Sequence, residues 1–217
     1  MVLAFAFSGG KDEGEPSGTP AKVPSVSSSA AATDLAERVT LTPKDWGSTF
    51  VRDSPYQSTG LTWPAVDQDC KVTQESPVGA LAALSRNAKE PDGTAFSGSS
   101  FITYKGADFA KRGIARQREP LQRCPKMSDA GSKLQYDKVH EVAFAELKGF
   151  DDLVAEEGHI SVDTDGKKAD AEYTLLTGLK GQFLLQSYIN RASGSQEKNR
   201  DDAVNALSLM LSRLKNS

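Results

Sequence analysis

Two cysteines carry the most definite covalent chemistry in this sequence. Cys70 and Cys124 are the cysteines of the chain and lie 54 positions apart. That separation excludes a CxxC redox motif and a zinc knuckle, because both need closely spaced thiols. Two interpretations are open: a structural disulfide in an exported protein, or two unrelated buried thiols. We expect the disulfide, which would stabilise the fold by roughly 4 kcal/mol at most.

An acidic segment resembles a metal-binding loop. Counted from Ser161, residues 161–172 (SVDTDGKKADAE) match an EF-hand loop at Asp163, Asp165, Gly166 and Glu172. However, the first position is serine rather than aspartate, and the flanking segments have strand-like patterns. A β-hairpin with an Asp-Gly turn is therefore the better interpretation, and we predict no metal site.

Histidine is the usual catalytic base, and the chain has two, His140 and His159. Both fall in predicted strands, where we expect a structural or surface role. Ser8 and Lys11 form a Ser-x-x-Lys pattern, but their segment is too flexible to hold the two side chains together. The sequence has no Gly-x-Ser-x-Gly, His-Glu-x-x-His or phosphate-binding glycine motif. We therefore predict no catalytic residue, no cofactor and a protein that is not an enzyme.

Six basic residues cluster on and around one predicted amphipathic helix, and we call them the basic surface. They are Lys105, Arg112, Arg116 and Arg123 opposite the apolar stripe, with Lys111 and Arg118 flanking. Such a face is either ordinary solvated helix or a site for an anionic partner: a teichoic-type polymer, lipid head groups or an acidic protein. The formal net charge of −3 gives no general attraction to nucleic acid, so we expect no such partner.

The elements that would position these residues form a mixed pattern. Thr42-Pro43 marks a helix start, residues 50–69 have the composition of a loop with short extended pieces, and a short helix is expected near 77–84. A strand at 99–104 leads into the amphipathic helix at 107–124, which Pro120 should shorten. Then follow strands at 139–147, 159–163, 169–177 and 183–190, a turn at 177–181, and a closing helix at 199–215. This order predicts an α+β fold, an antiparallel sheet (meander) with helices packed on one face.

The N-terminal part has a different composition. Residues 2–7 are apolar, too few to cross a bilayer, and lack the basic start of a signal peptide. Either the true start lies upstream, which we expect, or this is a terminus without function. Residues 8–33 are rich in Ser, Gly and Pro and should form a flexible tether. We predict an apolar stub and disordered tether over 1–37 and a single α+β domain over 38–217. This domain would be extracytoplasmic, with a membrane tether at or upstream of the N-terminus.

Two runs of the sequence resemble known extracytoplasmic domains. FITYKGADFAKRGIARQREPLQRCP has the pattern of a strand, an alanine-rich helix and an Arg-Cys-Pro end. LLQSYINRASGSQEKNRDDAVNALSLMLSRLK has that of a last strand, a loop and a closing helix. Over residues 38–217 this order resembles the extracytoplasmic domains of actinobacterial lipoproteins and the extracellular sensor domain of mycobacterial serine/threonine kinases. The resemblance implies a ligand-sensing or envelope-associated role. That sensor domain has two disulfides, whereas this chain can form one.

We therefore expect a non-enzymatic binding or sensor domain whose partner is a cell-envelope component or an envelope protein. One alternative is a structural component of an envelope complex, with strand edges or the aromatic residues Trp46, Tyr56 and Trp63 as its interface. Another is a hydrolase with dispersed catalytic residues. A deep pocket lined by a few polar groups would favour the binding function. A flat apolar patch would favour the structural role. A contact between a histidine, a serine and a carboxylate would favour the hydrolase.

Overall fold

The computed structural model describes residues 23–129, 131–145, 147–164, 167–192 and 195–217. In these ranges the chain forms the helices Ser29–Val39 (α1), Pro43–Trp46 (α2), Ala107–Arg118 (α3) and Gln196–Lys215 (α4), with a 3-10 turn at Glu119–Gln122. The strands are Val51–Ser58 (β1), Trp63–Val66 (β2), Val72–Glu75 (β3), Ala80–Lys89 (β4), Ala95–Tyr104 (β5), Lys126–Asp129 (β6), Leu134–Glu141 (β7), Asp152–Thr164 (β8), Lys167–Lys180 (β9) and Phe183–Ala192 (β10). Among the described residues, no helix is both long and apolar enough to span a membrane. The predicted stub, most of the tether and the Asp165-Gly166 turn lie outside these ranges.

One antiparallel sheet organises the fold. Its strand order is β1-β4-β5-β10-β9-β8-β7-β6, and β2 and β3 pair separately as a hairpin. The predicted meander is formed by β8, β9 and β10, which pair along most of their lengths. Side chains alternate along a strand, so Leu184 and Leu185 lie on opposite faces of the sheet. The face that carries Leu185, called the first face, packs against α1, α2 and α4, and the face that carries Leu184, called the second face, packs against α3. The predicted α+β class with an antiparallel sheet is confirmed.

The first face carries the larger core. Helix α4 packs an apolar stripe onto it, made of Ala203, Ala206, Leu207, Met210, Leu211 and Leu214. Beneath it, the rings of Phe101 and Phe183 stack with their centroids 5.4 Å apart. Buried Glu157 accepts two hydrogen bonds from Arg200 of α4, at 2.6 and 2.7 Å. The closing helix predicted at 199–215 is confirmed and begins slightly earlier.

Helix α1 belongs to this core, so the boundary predicted at residue 38 lies too late. Ser28 caps the helix by accepting a hydrogen bond from the Ala31 backbone N–H at 3.2 Å. Leu35 and Val39 are buried in the cluster beneath α4. Part of the predicted tether therefore belongs to a helix of the core. There, a Ser- and Ala-rich run contains a small apolar stripe at helical spacing.

Helix α3 lies on the second face, so helices cover both faces of the sheet rather than the one predicted. Ala110 and Ile114 pack against Ile102 and Leu184. The strands carry apolar side chains on both faces at this end of the sheet, and a second cover removes them from water. The helix ends at Arg118, ahead of the proline, as the sequence predicted.

Several local predictions were wrong. Strand β4 replaces the short helix expected at 77–84, because pairing with β1 and β5 outweighs the helix propensity of Ala and Leu. The strand expected at 139–147 ends at Glu141 and starts at Leu134, with a register shift and a φ of 54° at Lys138. The segment 50–69, expected to be a loop with short extended pieces, contains the two strands β1 and β2, whereas β9 continues through most of the turn expected at 177–181.

Candidate functional site

A cavity of 270 Å³ lies on the second face, where the β2–β3 hairpin covers the sheet beyond the end of α3. Strands β4, β5, β8, β9 and β10 supply its floor, and Pro64, Val66 and Val72 of the hairpin supply its roof. Gln117 of α3 and Met127 of β6 contribute to its walls. We call this space the hairpin cavity. Its volume is just below the range of about 300–1,000 Å³ typical of small-molecule pockets, so it suits a small ligand.

Three tyrosines and a glutamate line one side of the hairpin cavity. The rings of Tyr136 and Tyr173 meet edge to face with centroids 5.9 Å apart, and Tyr188 is tilted against Tyr173 at 6.1 Å. The Tyr173 hydroxyl donates a hydrogen bond to Glu156 Oε1. Asn190 donates through Nδ2 to the Tyr188 hydroxyl oxygen at 2.7 Å. Tyr173 is buried, whereas Tyr136, Glu156 and Tyr188 keep part of their surface accessible.

Burial changes the acid–base properties of this cluster. It raises the pKa of Glu156 above its usual value, and the hydrogen bond from Tyr173 opposes the shift only in part. Burial also raises the pKa of Tyr136 to about 12, and it raises the pKa of Tyr173 and of Tyr188 as well. The three phenols are therefore protonated at neutral pH. Glu156 is the member of the cluster whose charge can change in the acidic range.

Two glycines lie opposite tyrosines of the cluster. Gly158 faces Tyr173 across the β8–β9 pair, and a Cβ at this position would lie 2.9 Å from the ring atom Cε1 and 3.0 Å from the Asp137 carbonyl oxygen. Gly98 faces Tyr188 across the β5–β10 pair and itself lines the cavity. The cluster therefore depends on positions where the sequence omits a side chain.

The predicted disulfide is present and fastens the roof of the hairpin cavity. Cys70, between β2 and β3, is bonded to Cys124, which follows the 3-10 turn. Arg123 reinforces this link by donating to the backbone oxygens of Val66 and Gln68, both at 3.3 Å. Its Nη1 also lies 3.0 Å from the Cys124 sulfur. The hairpin is therefore fixed to the end of α3 by one covalent bond and several hydrogen bonds.

A second cavity, of 220 Å³, lies on the other side of the hairpin, and we call it the outer cavity. Trp63, Tyr104 and Phe109 line it, so its wall is largely apolar. Arg112 and Arg116 also line it. Arg116 is ion-paired with Glu75 of β3, and the guanidinium of Arg112 lies 4.5 Å from the centroid of the Phe109 ring.

The structure divides the predicted basic surface into two groups. Arg118 pairs with Asp152 at 2.7 Å and with Glu141 at 3.1 Å, so it joins α3 to the sheet. Arg123 pairs with Glu119 at 2.7 Å and holds the hairpin. The remaining members, Lys105, Lys111, Arg112 and Arg116, are exposed on or beside α3. An anionic partner for this remaining group stays a prediction.

The other residues singled out from sequence lie apart from one another. His140 Nδ1 is 2.8 Å from the Lys138 carbonyl oxygen, and His159 faces Asp137 and Glu172 in the sheet. Trp46 and Trp63 are buried in separate clusters, so they do not form the aromatic interface considered for a structural role.

The calcium-loop pattern is only partly described. The side chains of Asp163, Asp165 and Gly166 lie outside the described residues, and Glu172 Oε2 accepts a hydrogen bond from the Ser195 backbone N–H at 2.9 Å. Within the described part of the chain, no group of three or more His, Cys, Asp or Glu could hold a metal ion.

Sequence reasoning missed the tyrosine–glutamate cluster. Glu156 and Glu157 both lie in β8, with Glu157 buried on the first face and Glu156 on the second. The available signal was the alternation of polar and apolar residues through β9, which places Tyr173 and Leu175 on one face. Only the pairing of distant strands shows that Tyr136 and Tyr188 share that face.

Among solved structures, the extracellular domain of PknH from Mycobacterium tuberculosis is similar to this chain. The match has a TM-score of 0.54 and covers 85% of this chain and 96% of that domain. The sequence identity is 8%, so the likeness shows the fold alone. It confirms the expected resemblance in fold to a mycobacterial extracellular domain. No protein-family model and no curated protein matches the sequence.

Proposed function

We propose that this chain is an extracytoplasmic binding or sensor domain that takes a small ligand in the hairpin cavity and catalyses no reaction. An envelope component as the source of the ligand, and a membrane tether at or upstream of the N-terminus, belong to the same proposal. Two findings support the compartment: the fold is that of an extracellular domain, and the Cys70–Cys124 disulfide suits an oxidising environment.

The observation that carries this proposal is a space lined in part by polar side chains, between the β2–β3 hairpin and the sheet. Next to it, α3 fills the same face with apolar side chains. Here Glu156, Gln186 and the tyrosines line a cavity instead. A purely structural domain would gain stability from apolar side chains in this space, because cavities and buried carboxylates both cost free energy. Keeping them is consistent with a binding role.

A cavity-filling variant tests the proposal. Ser100 lines the floor, and Ser100→Leu would occupy part of the cavity from a rigid strand. The matched control is Ser58→Leu, at an exposed position of β1. Each protein is incubated with the small-molecule fraction of a cell-envelope extract, washed and denatured, and the released compounds are identified by mass spectrometry. We expect a compound retained by the wild type and by Ser58→Leu but lost from Ser100→Leu. Equal retention by all three, or no retained compound, would contradict the proposal.

A further inference from the structure

The charge of the hairpin cavity is unbalanced. Glu156 is the acidic residue of its lining, and none of the described lining residues is Lys, Arg or His. The hairpin contributes prolines and aliphatic side chains, β4 and β5 contribute Asn87 and Ser100, and α3 contributes Gln117. The cavity therefore has the composition of a site with one negative charge and no cation of its own.

Arg118, which pairs with the sheet neighbour of Glu156, is already engaged by two carboxylates. Glu141 of β7 stands opposite Glu156 in the sheet, and its carboxylate is bonded by Arg118. Arg118 is also held by Asp152. Within the described residues, Glu156 accepts its hydrogen bond from Tyr173 and forms no ion pair. A carboxylate has about four acceptor positions, so Glu156 can accept further hydrogen bonds from a ligand.

The aromatic rings add a second preference for positive charge. Tyr136 and Tyr188 flank the buried Tyr173 and are partly accessible. The face of a tyrosine ring attracts a cation within about 6 Å of its centroid, and the attraction is stronger where water is excluded. The rings and the carboxylate together form a site suited to an organic cation, whose charged group carries an apolar surface. Inorganic cations fit this site poorly, because they retain their hydration water.

We propose that the hairpin cavity binds a small organic cation, an amine or quaternary ammonium compound, with its charged group between Glu156 and the rings of Tyr136 and Tyr188. This inference rests on the proposed function, because it assigns the chemical class of the ligand of the same cavity. The volume of 270 Å³ limits the ligand to a small molecule.

The titration of Glu156 gives the site a distinctive pH dependence. Burial raises the pKa of Glu156, and a bound cation favours the ionised carboxylate. Affinity for a cation should therefore fall as the pH drops through this raised pKa. The other titratable groups that face Glu156 are the tyrosines, which keep their protons over that range, and Glu141, whose carboxylate is paired with Arg118. An uncharged ligand of the same shape should show no such dependence.

The test compares cations with neutral analogues by isothermal titration calorimetry on the full chain. The probes are tetramethylammonium, choline, ethanolamine and putrescine, and 3,3-dimethyl-1-butanol is the uncharged analogue of choline. We expect at least one cation to bind about tenfold or more tightly than its neutral analogue. Glu156→Gln should remove most of that preference and its pH dependence, whereas Glu197→Gln, an exposed change on α4, should leave both unchanged.

Variants of Tyr136 distinguish the effect of losing the aromatic ring from the effect of general damage to the fold. Tyr136→Phe keeps the ring and should retain cation binding, whereas Tyr136→Leu should weaken it. Thermal unfolding of each variant checks that the domain is intact. If no cation is preferred over its neutral analogue, the inference is wrong. If the envelope compound lost from Ser100→Leu is neutral or anionic, the inference fails while the proposed function stands.

Discussion

Removing the disulfide should cost this domain a large part of its stability. The bond joins Cys70 to Cys124 and closes a loop of 54 residues. For a loop of that length, the loss of chain entropy in the unfolded state corresponds to about 4 kcal/mol. The free energy of unfolding of a typical domain is only about 5–15 kcal/mol in total. The double variant Cys70→Ala/Cys124→Ala is preferable to serine, because Cys124 is fully buried and a hydroxyl there would add its own cost.

The assay is equilibrium unfolding in urea, followed by circular dichroism. We expect the urea concentration at the unfolding midpoint to fall. The free energy of unfolding should also depend more steeply on urea concentration, because the unfolded chain without the bond exposes more surface. Dithiothreitol should bring the wild type close to the double variant and leave the variant itself unchanged. A loss of stability below about 1 kcal/mol, with an unchanged slope, would refute the loop-entropy reasoning.

Three further predictions concern side chains that the fold places in defined contacts. Glu157→Gln should cost about 2 kcal/mol in chemical denaturation, because it weakens a buried, charged pair with Arg200. Burial by itself would raise the pKa of Glu157, but hydrogen bonds and the charge of Arg200 lower it overall. This stabilisation should therefore be present above about pH 4.5 and disappear below it, as pH-dependent unfolding would show. Gly158→Ala should cost about 1–3 kcal/mol, because its Cβ would contact the Tyr173 ring and the backbone of β7. Leu35→Ala should cost roughly 2–5 kcal/mol if α1 belongs to the core.

Two of these three variants, Glu157→Gln and Gly158→Ala, have a matched control. Glu197→Gln removes an exposed carboxylate, and Gly60→Ala adds a methyl group with only ordinary contacts. Both should change stability by less than about 0.5 kcal/mol. A similar loss from control and test variants would contradict the assigned contacts. A small effect of Leu35→Ala would show that the domain folds without α1.

Patterns confined to one segment could be predicted from the sequence. Helix α4 repeats apolar residues at helical spacing over about three turns, and β10 contains the strand-forming residues Phe183, Tyr188 and Ile189, so both were found. Helix α1 was missed because Ser and Ala dominate its composition, and only Leu35 and Val39 indicate a buried side. Strand β4 was missed because its environment is set by β1 and β5, which a reading of the local sequence does not include.

The candidate site depends on contacts between distant parts of the chain. Tyr136, Glu156 and Tyr188 belong to three different strands, and each looks like an ordinary polar position of an alternating pattern. These residues come together only through the strand register of the sheet and the hairpin that covers it. The cysteines were the exception, because a chain with two cysteines can form only one intrachain disulfide.

The same disulfide also determines how the domain responds to force. When a chain is pulled at its two ends, tension passes through the covalent bond, so the residues between Cys70 and Cys124 carry none of it. Strands β4 and β5 and helix α3 lie in that shielded segment. Unfolding under load would then release about 180 Å less chain than the sequence length implies, at 3.3–3.6 Å per residue. A domain anchored at one end to an envelope would keep these central elements out of the path of the load.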